Sequence, residues 1–315
     1  MDYSKIINQL QKVPPPQQPW LGSSALNYEQ RLVEWNPVCT KNSALYYQFT
    51  TGDRNDCFVG IMPDACINII FKCSESDPVA LVSGVYEDFS KIMLEPNTTY
   101  FGFKPYSVAG VKTPEAEFKE LKNQTVKLDS IYKTQSIMDN IAAKGNLHDR
   151  IKSFQNYAMS HLIDEKYTPN LVECCAILVC LSGGRIGLEE IESETGYSER
   201  HCREKFKETY GISIKYYSRI VRFQNALRMI ATEKMIDISD VVYEAGYFDQ
   251  SHFIKEFKHF ADTSPVKFRN TYIDILNRNN KKDNEGDGIS TGVRKHERLI
   301  LPSQDIKRKI SLYAE

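Results

Sequence analysis

Long apolar runs are missing from this 315-residue chain. Its most apolar stretch, ECCAILVCL at 173–181, is about half of the ~20 residues that a membrane-spanning helix needs. The opening MDYSKIINQLQKVPPP lacks the apolar core and small-residue cleavage site of a secretory signal. A cytoplasmic location is the expectation. An excess of one charge is missing too: 40 Lys and Arg stand against 41 Asp and Glu, for a formal net charge of −1. The total charge points to no partner, so any charged recognition must come from local sorting.

Metal and nucleophile chemistry is thinly supplied. The first of the six histidines is His148, which excludes a His-ligated barrel site in the first half. The eight cysteines stand at 39, 57, 66, 73, 174, 175, 180 and 202, form no CxxC pair and match no zinc spacing. They read as reduced, buried, small hydrophobes. The same lack of close pairs argues against a zinc-held methyl acceptor of the DNA-repair type. No phosphate loop, nucleophile elbow or zinc-helix motif is present. The chain is therefore read as no enzyme, with no cofactor, no metal site and no catalytic residue.

What is present changes character along the chain. Residues 1–24 are polar and proline-bearing and read as a flexible leader. Residues 25–125 are β-like. RLVEW, ALYYQFT, CFVGIM, ACINIIFK, VALVSGVY and TYFGFKP are candidate strands, punctuated by TTGD, PD, SESDP and EPN. Short strands at this spacing predict a barrel or sandwich. Over 126–168 the period becomes helical, with amphipathic helices expected at 128–146 and 150–166. Ile131, Ile137, Met138, Ile141 and Ala142 give one apolar stripe, suited to intramolecular packing or to a dimer interface. Residues 169–275 continue helical. The polar, glycine-bearing region 276–315 reads as mostly disordered. The fold class is α+β: a β-barrel-like or sandwich-like domain, then helices, then an all-α domain.

That last domain contains one device twice. IGLEEIESETGYSERHCREKFKETYGIS (186–213) aligns with IDISDVVYEAGYFDQSHFIKEFKHFADTS (236–264). Gly196 and Gly246 match at an offset of fifty, and Phe206 and Phe257 at fifty-one, so the second copy carries one extra residue after the Gly-Tyr turn. In each copy a short helix meets a glycine able to adopt positive φ. A capping residue then opens a second helix, Ser198 in one case and Asp249 in the other. Cys202, Phe206 and Tyr210 recur on one face of the first copy's second helix, with Arg200, Arg203 and Lys207 on the other. In the second copy Phe253, Phe257 and Phe260 face inward and leave Gln250, Ser251, Lys255 and Lys258 outside. Helix, glycine turn and capped helix with a cationic or amide face form the helix-turn-helix plan for entering a major groove. Arginine can bond guanine bidentately and glutamine adenine, while lysine holds phosphate.

Between the copies, SIKYYSRIVRFQNALRMIATEK carries an apolar stripe about twenty residues long, roughly 30 Å of helix against a B-DNA turn of ~34 Å. Such a connector suits two recognition helices in successive major-groove turns. Arg219, Arg222 and Arg228 are its phosphate candidates.

These residues resemble the C-terminal domain of the AraC/XylS family of bacterial transcription regulators. GYSERHCREKFKETYGIS, YSRIVRFQNALRMI and AGYFDQSHFIKEFKHFADTSPVKFR carry the resemblance over about 170–271. It implies a domain of two helix-turn-helix units joined by a long helix. It implies base-facing roles for Arg200, Arg203, Glu204, Gln250, Ser251 and Lys255, and backbone contacts from Ser198, His201, Arg222 and His252. Lys207 joins the DNA-binding set. The chain departs from the family pattern at Glu192 and Val242, where the family commonly has a small residue, at Cys202 for a leucine, and at Asp262 for a glycine.

MPDACINIIFK and TYFGFKPYS resemble, more faintly, an N-terminal β domain of some members, which implies a regulatory role. Tyr46, Tyr86, Tyr100 and Phe103 are its candidate effector-binding residues. The expected partners are an operator in double-stranded DNA, RNA polymerase, a small-molecule effector and a second copy of the chain. Activation is the commoner role in the resembling family. A purely structural dimerisation module is the alternative for the N-terminal half.

Overall fold

The computed structural model describes residues 13–24, 26–36, 42–53, 57–105, 118–132, 136–162, 170–232 and 237–274, with isolated positions 6, 9 and 134. A short helix α1 (Pro19–Ser24) precedes the strands β1 (Leu26–Asn36), β2 (Asn42–Thr50), β3 (Cys57–Ile61), β4 (Asn68–Cys73), β5 (Val79–Ser83), β6 (Ser90–Leu94), β7 (Thr99–Pro105) and β8 (Thr125–Lys127). Six of them form an antiparallel sheet in the order β1-β2-β7-β4-β5-β8, and β3 pairs with β6 as a separate ribbon.

The two-residue period of the strands decides what covers each face of the sheet. Ala44 and Tyr46 of β2, Ile69 and Phe71 of β4, and Phe101 and Phe103 of β7 share one face. Helices α2 (Ile137–Ala142) and α3 (Leu147–His161) close over it. The ring of Phe154 on α3 lies 4.6 Å from Phe103 and 6.2 Å from Tyr46, centroid to centroid. Leu45, Tyr47, Phe49 and Tyr100 point to the opposite face, which is covered by Val59 and Leu94 of the ribbon. Helix α4 (Leu171–Leu181) reaches the same face through Cys174 and Ile177. The sheet stays open, because β1 and β8 at its edges do not pair with each other. The architecture is sandwich-like, not a closed barrel.

Helices α5 (Leu188–Thr195), α6 (Glu199–Tyr210), α7 (Ile214–Thr232), α8 (Ile238–Glu244) and α9 (Gln250–Ala261) follow, with a further helical run at 265–274. One apolar cluster runs through them and includes Ile191, Phe206, Phe223, Val241, Phe257 and Phe268. The halves are not insulated from each other. Met62, Ala65 and Val85 of the β-rich half enter this cluster. Tyr216 Oη donates to the carbonyl of Glu87 at 3.2 Å, and the Trp20 ring meets Phe268 edge-on at 5.3 Å.

Several expectations need correction. The helix expected at 128–146 is a 3-10 turn at Leu128–Ser130 followed by the six-residue α2. The helix expected at 150–166 begins earlier, at Leu147, where Asn146 caps it by accepting from Asp149 N at 3.0 Å. Strands β6 and β8 were not expected; β8 has only three residues, and β6, as long as β3 and β5, exposes Lys91 and Met93 and turns only alternate residues inward. Residues 13–24, read as part of a flexible leader, are anchored by buried Leu21 and by the Trp20 contact. The expected disordered region 276–315 and Cys39 lie outside the described residues, as does the side chain of Cys57. Cys174, Cys175 and Cys202 are buried and free, as small hydrophobes would be.

Candidate nucleic-acid interface

Each unit is built from its turn outward. Gly196 ends α5 at φ 72° and Gly246 follows α8 at φ 74°, both left-handed. A side chain at Gly246 would be strained at this φ and would displace the flexible side chain of Arg185, whose Cδ lies 2.5 Å from the Cβ position. The recognition helices then start on side-chain caps. Ser198 Oγ accepts from His201 N at 3.4 Å, and Asp249 Oδ1 accepts from His252 N at 2.7 Å. The helices end on left-handed Gly211 and Asp262, at φ 72° and 53°. Asp262 thus fills the glycine position without breaking the motif.

Cys202, Phe206 and Tyr210 anchor α6, and Phe253, Phe257 and Phe260 anchor α9, all buried. That leaves Arg200, Arg203, Glu204 and Lys207 exposed on α6, and Gln250, Ser251, His252, Lys255 and Lys258 exposed on α9. The α6 arginines are held along the helix: Arg200 Nε to Glu204 Oε1 at 2.9 Å, and Arg203 Nη2 to Glu199 Oε2 at 2.6 Å. Exposed pairs of this kind are weak, so both guanidinium groups can be released to guanine or phosphate at small cost. His201 is half-buried and stacks on Tyr197 at 5.2 Å.

The arginines of α7 are placed differently. Arg222 Nη2 donates to the Gly184 carbonyl at 3.1 Å, and its guanidinium lies 5.5 Å from the Tyr247 ring centroid. Arg219 Nε lies 2.8 Å from Oε2 of buried Glu256. Arg228 Nη2 donates to Asn225 Oδ1 at 2.6 Å, and burial pushes its guanidinium pKa down. All three are occupied within the fold, where the sequence reading offered them to phosphates. Glu192, a departure from the family pattern, supplies a second cap: its Oε2 accepts from Glu199 N at 3.1 Å at the start of α6. At the position where the family commonly has a small residue, Glu192 thus ties α5 to the start of the recognition helix.

Of the N-terminal effector candidates, only Tyr46 and Phe103 come together. Tyr46 and Phe103 pack against α3, Tyr100 lies on the opposite face of the sheet, and Tyr86 Oη bonds Thr125 Oγ1 at 2.6 Å. Burial pushes the Tyr46 phenol up, and its hydroxyl has no partner among the described residues. The strand period brings Tyr46 and Phe103 together on one face, ring centroids 5.2 Å apart, and sends Tyr100 to the other, so the four do not share a face. No group of three or more His, Cys, Asp and Glu suited to a metal occurs among the described residues. Among those residues, too, no helix is long and apolar enough to cross a membrane.

Residues 191–271 match the model of a helix-turn-helix domain family. The probable transcription factor PqrA of Proteus vulgaris is 32% identical over 84 residues, covering 27% of this chain and 68% of that protein. The chain belongs to the AraC family of helix-turn-helix transcription regulators. An uncharacterized HTH-type transcriptional regulator of Staphylococcus aureus (strain MSSA476) is 28% identical over 85 residues. That match spans 27% of this chain and only 11% of the relative's length. Among solved structures, ToxT from Vibrio cholerae superposes with a TM-score of 0.39 at 13% identity, over 77% of this chain and 98% of that one. A probable AraC family regulator from Rhodopseudomonas palustris gives 0.31 at 19% identity, over 33% and 98%. In this AraC family member the matched segment runs from Ile191 through the helical residues after α9, and so takes in both turns and both recognition helices.

Proposed function

We propose that the protein is a sequence-specific regulator, acting as an activator, that reads two adjacent major-groove half-sites per protomer. The observation that carries this is the paired presentation of α6 and α9. Each has a left-handed glycine before it, a carboxylate or hydroxyl cap at its start, and an exposed polar face. Helix α7 joins them with 19 residues, about 28 Å of helix against ~34 Å for a turn of DNA. Arg200, Arg203 and Glu204 are the base-facing set of one unit, and Gln250, Ser251 and Lys255 of the other. Ser198, His201, Lys207 and His252 flank them toward the backbone.

Arginine favours guanine, and an amide favours adenine, so the half-sites differ in sequence. Control through the N-terminal half, by a small molecule, by pairing of two copies or by both, is supported by the side chains the halves share in one core. RNA polymerase is the partner an activator engages. Selection of binding sites from random duplex DNA tests the reading. Two unlike conserved blocks about one helical turn apart are expected, and an unenriched pool would refute it.

A further inference from the structure

Phe248 is the residue by which the two units differ in length. In the first unit Tyr197 is followed directly by the cap Ser198, whereas in the second Phe248 stands between Tyr247 and the cap Asp249. Its side chain is 92% exposed, the most exposed large hydrophobic among the described residues. The backbone on either side is pinned. Tyr247 and Phe253 are buried with ring centroids 5.0 Å apart, and Asp249 holds His252 N at 2.7 Å. The ring is thus presented to solvent from an ordered turn, two positions ahead of exposed Gln250 and three ahead of Ser251. A single exposed apolar residue is ordinary on a protein surface; what singles out Phe248 is its place in an ordered turn at the start of a recognition helix, beside exposed Gln250 and Ser251.

We propose that Phe248 reads a thymine 5-methyl group in the major groove at the leading edge of the second half-site. This rests on the DNA-reading function proposed above. Residues at the start of a recognition helix are those that meet base edges. The thymine methyl is the one apolar group displayed there, and phenylalanine is among the side chains that contact it. Asp249 is engaged in capping, and an acidic group would in any case repel phosphate. The inserted ring therefore gives the start of α9 a means of attraction that its cap does not supply. A protein partner is the competing occupant. Continuity with Gln250 and Ser251 favours DNA.

The experiment uses the full chain and duplexes selected from a random pool. Each thymine of the second half-site is replaced in turn by deoxyuridine, which deletes only the methyl. At one position the wild-type protein loses affinity about fourfold, equivalent to one buried methyl-sized group. Phe248→Ala binds the parent duplex about tenfold more weakly and no longer distinguishes thymine from uracil there. Phe248→Leu keeps part of the preference, which separates loss of the contact from loss of folding.

If Phe248→Ala retains the wild-type preference for thymine, the inference is overturned. It is equally overturned if that variant binds every duplex as the wild type does but fails to support transcription with purified polymerase, since the ring then faces a protein. A selection that enriches no sequence overturns the DNA reading itself, and is distinguishable because it appears before any variant is made.

Discussion

Nε2 of Gln224, buried on the helix that joins the two reading units, donates to the carbonyl of Pro63 at 2.8 Å. The same side chain accepts from Gln17 N at 2.7 Å through Oε1. One amide on α7 therefore holds two separate stretches of the N-terminal half. Gln224→Leu keeps the volume and deletes both of these bonds and a longer one, from Nε2 to the Gln17 carbonyl at 3.4 Å. It leaves the Gln17 N–H and the Pro63 carbonyl short of a partner in a buried place, at a cost of about 1–3 kcal/mol. Thermal unfolding should show the loss, and protease cleavage within residues 13–24 should become faster. An unchanged melting temperature with 13–24 still protected would show that the amide does not hold the halves together.

Arg203 and Arg219 are both arginines of the C-terminal half, and they should fail in opposite ways. Arg203 is exposed and paired only along its own helix. Arg203→Ala should weaken specific DNA binding by about 1–3 kcal/mol, relax selectivity in one half-site and leave stability nearly unchanged. Arg219 is 32% exposed and pairs with Glu256, 4% exposed, between α7 and α9. Arg219→Ala leaves the buried Glu256 carboxylate with His252 Nε2, 3.7 Å away, as its remaining ion-pair neighbour, and should cost up to about 3–5 kcal/mol of stability. Footprinting and chemical denaturation of both variants would separate the roles. Equal stability losses would contradict the assignment.

That contrast also shows what the sequence could and could not reveal. The repeated Gly-Tyr turn, the caps Ser198 and Asp249 and the inward Phe206 and Phe257 were legible because each obeys a local rule of backbone conformation, capping or helical period. The fates of Arg219 and Arg222 were not. Their partners Glu256 and Gly184 lie 37 and 38 positions away, and no periodicity links them. The β-rich half follows the same division. Six of the eight described strands were visible as β-branched and aromatic runs. The pairing of β3 with β6, and the split of Tyr46 and Tyr100 between opposite faces, depend on topology that alternation alone leaves open. The false helix at 128–146 arose because Ile131 and Met138 lie seven apart and Ile137 and Ile141 four apart, spacings a helix would also use, while Leu128 in fact buries itself through a 3-10 turn.

The turn glycine gives a sharper test of the motif itself. Gly246→Ala places a Cβ in a left-handed residue and against Arg185 Cδ at 2.5 Å. The backbone alone costs roughly 1 kcal/mol or more, and Arg185 must move. The expected result is a lower melting temperature with weakened reading of the second half-site, because α9 is aimed by this turn. Asp249→Ala should cost about 1 kcal/mol through loss of the cap and leave the turn in place. If Gly246→Ala proved no more damaging than Asp249→Ala, the turn would not be the element that aims α9.

Glu173 makes stability depend on pH. It sits in the first turn of α4, where Asn170 accepts from Val172 N and Glu173 N and the Glu173 carboxylate accepts from Asn170 N at 3.2 Å. Burial pushes its pKa from the ordinary 4.5 up to about 8, against a smaller lowering by the Asn170 bond. The unfolded chain gives up this proton near 4.5, and the folded chain keeps it until about 8. Across that window the native state binds more protons than the unfolded state, so stability falls as pH rises and levels off above it. Glu173→Gln stays neutral, and its amide oxygen still accepts from Asn170 N. Urea denaturation at intervals between about pH 5 and pH 8 should show a decline for the wild type and a flatter profile for the variant. Parallel profiles would mean that Glu173 is already ionised in the folded protein, with its charge balanced within the fold.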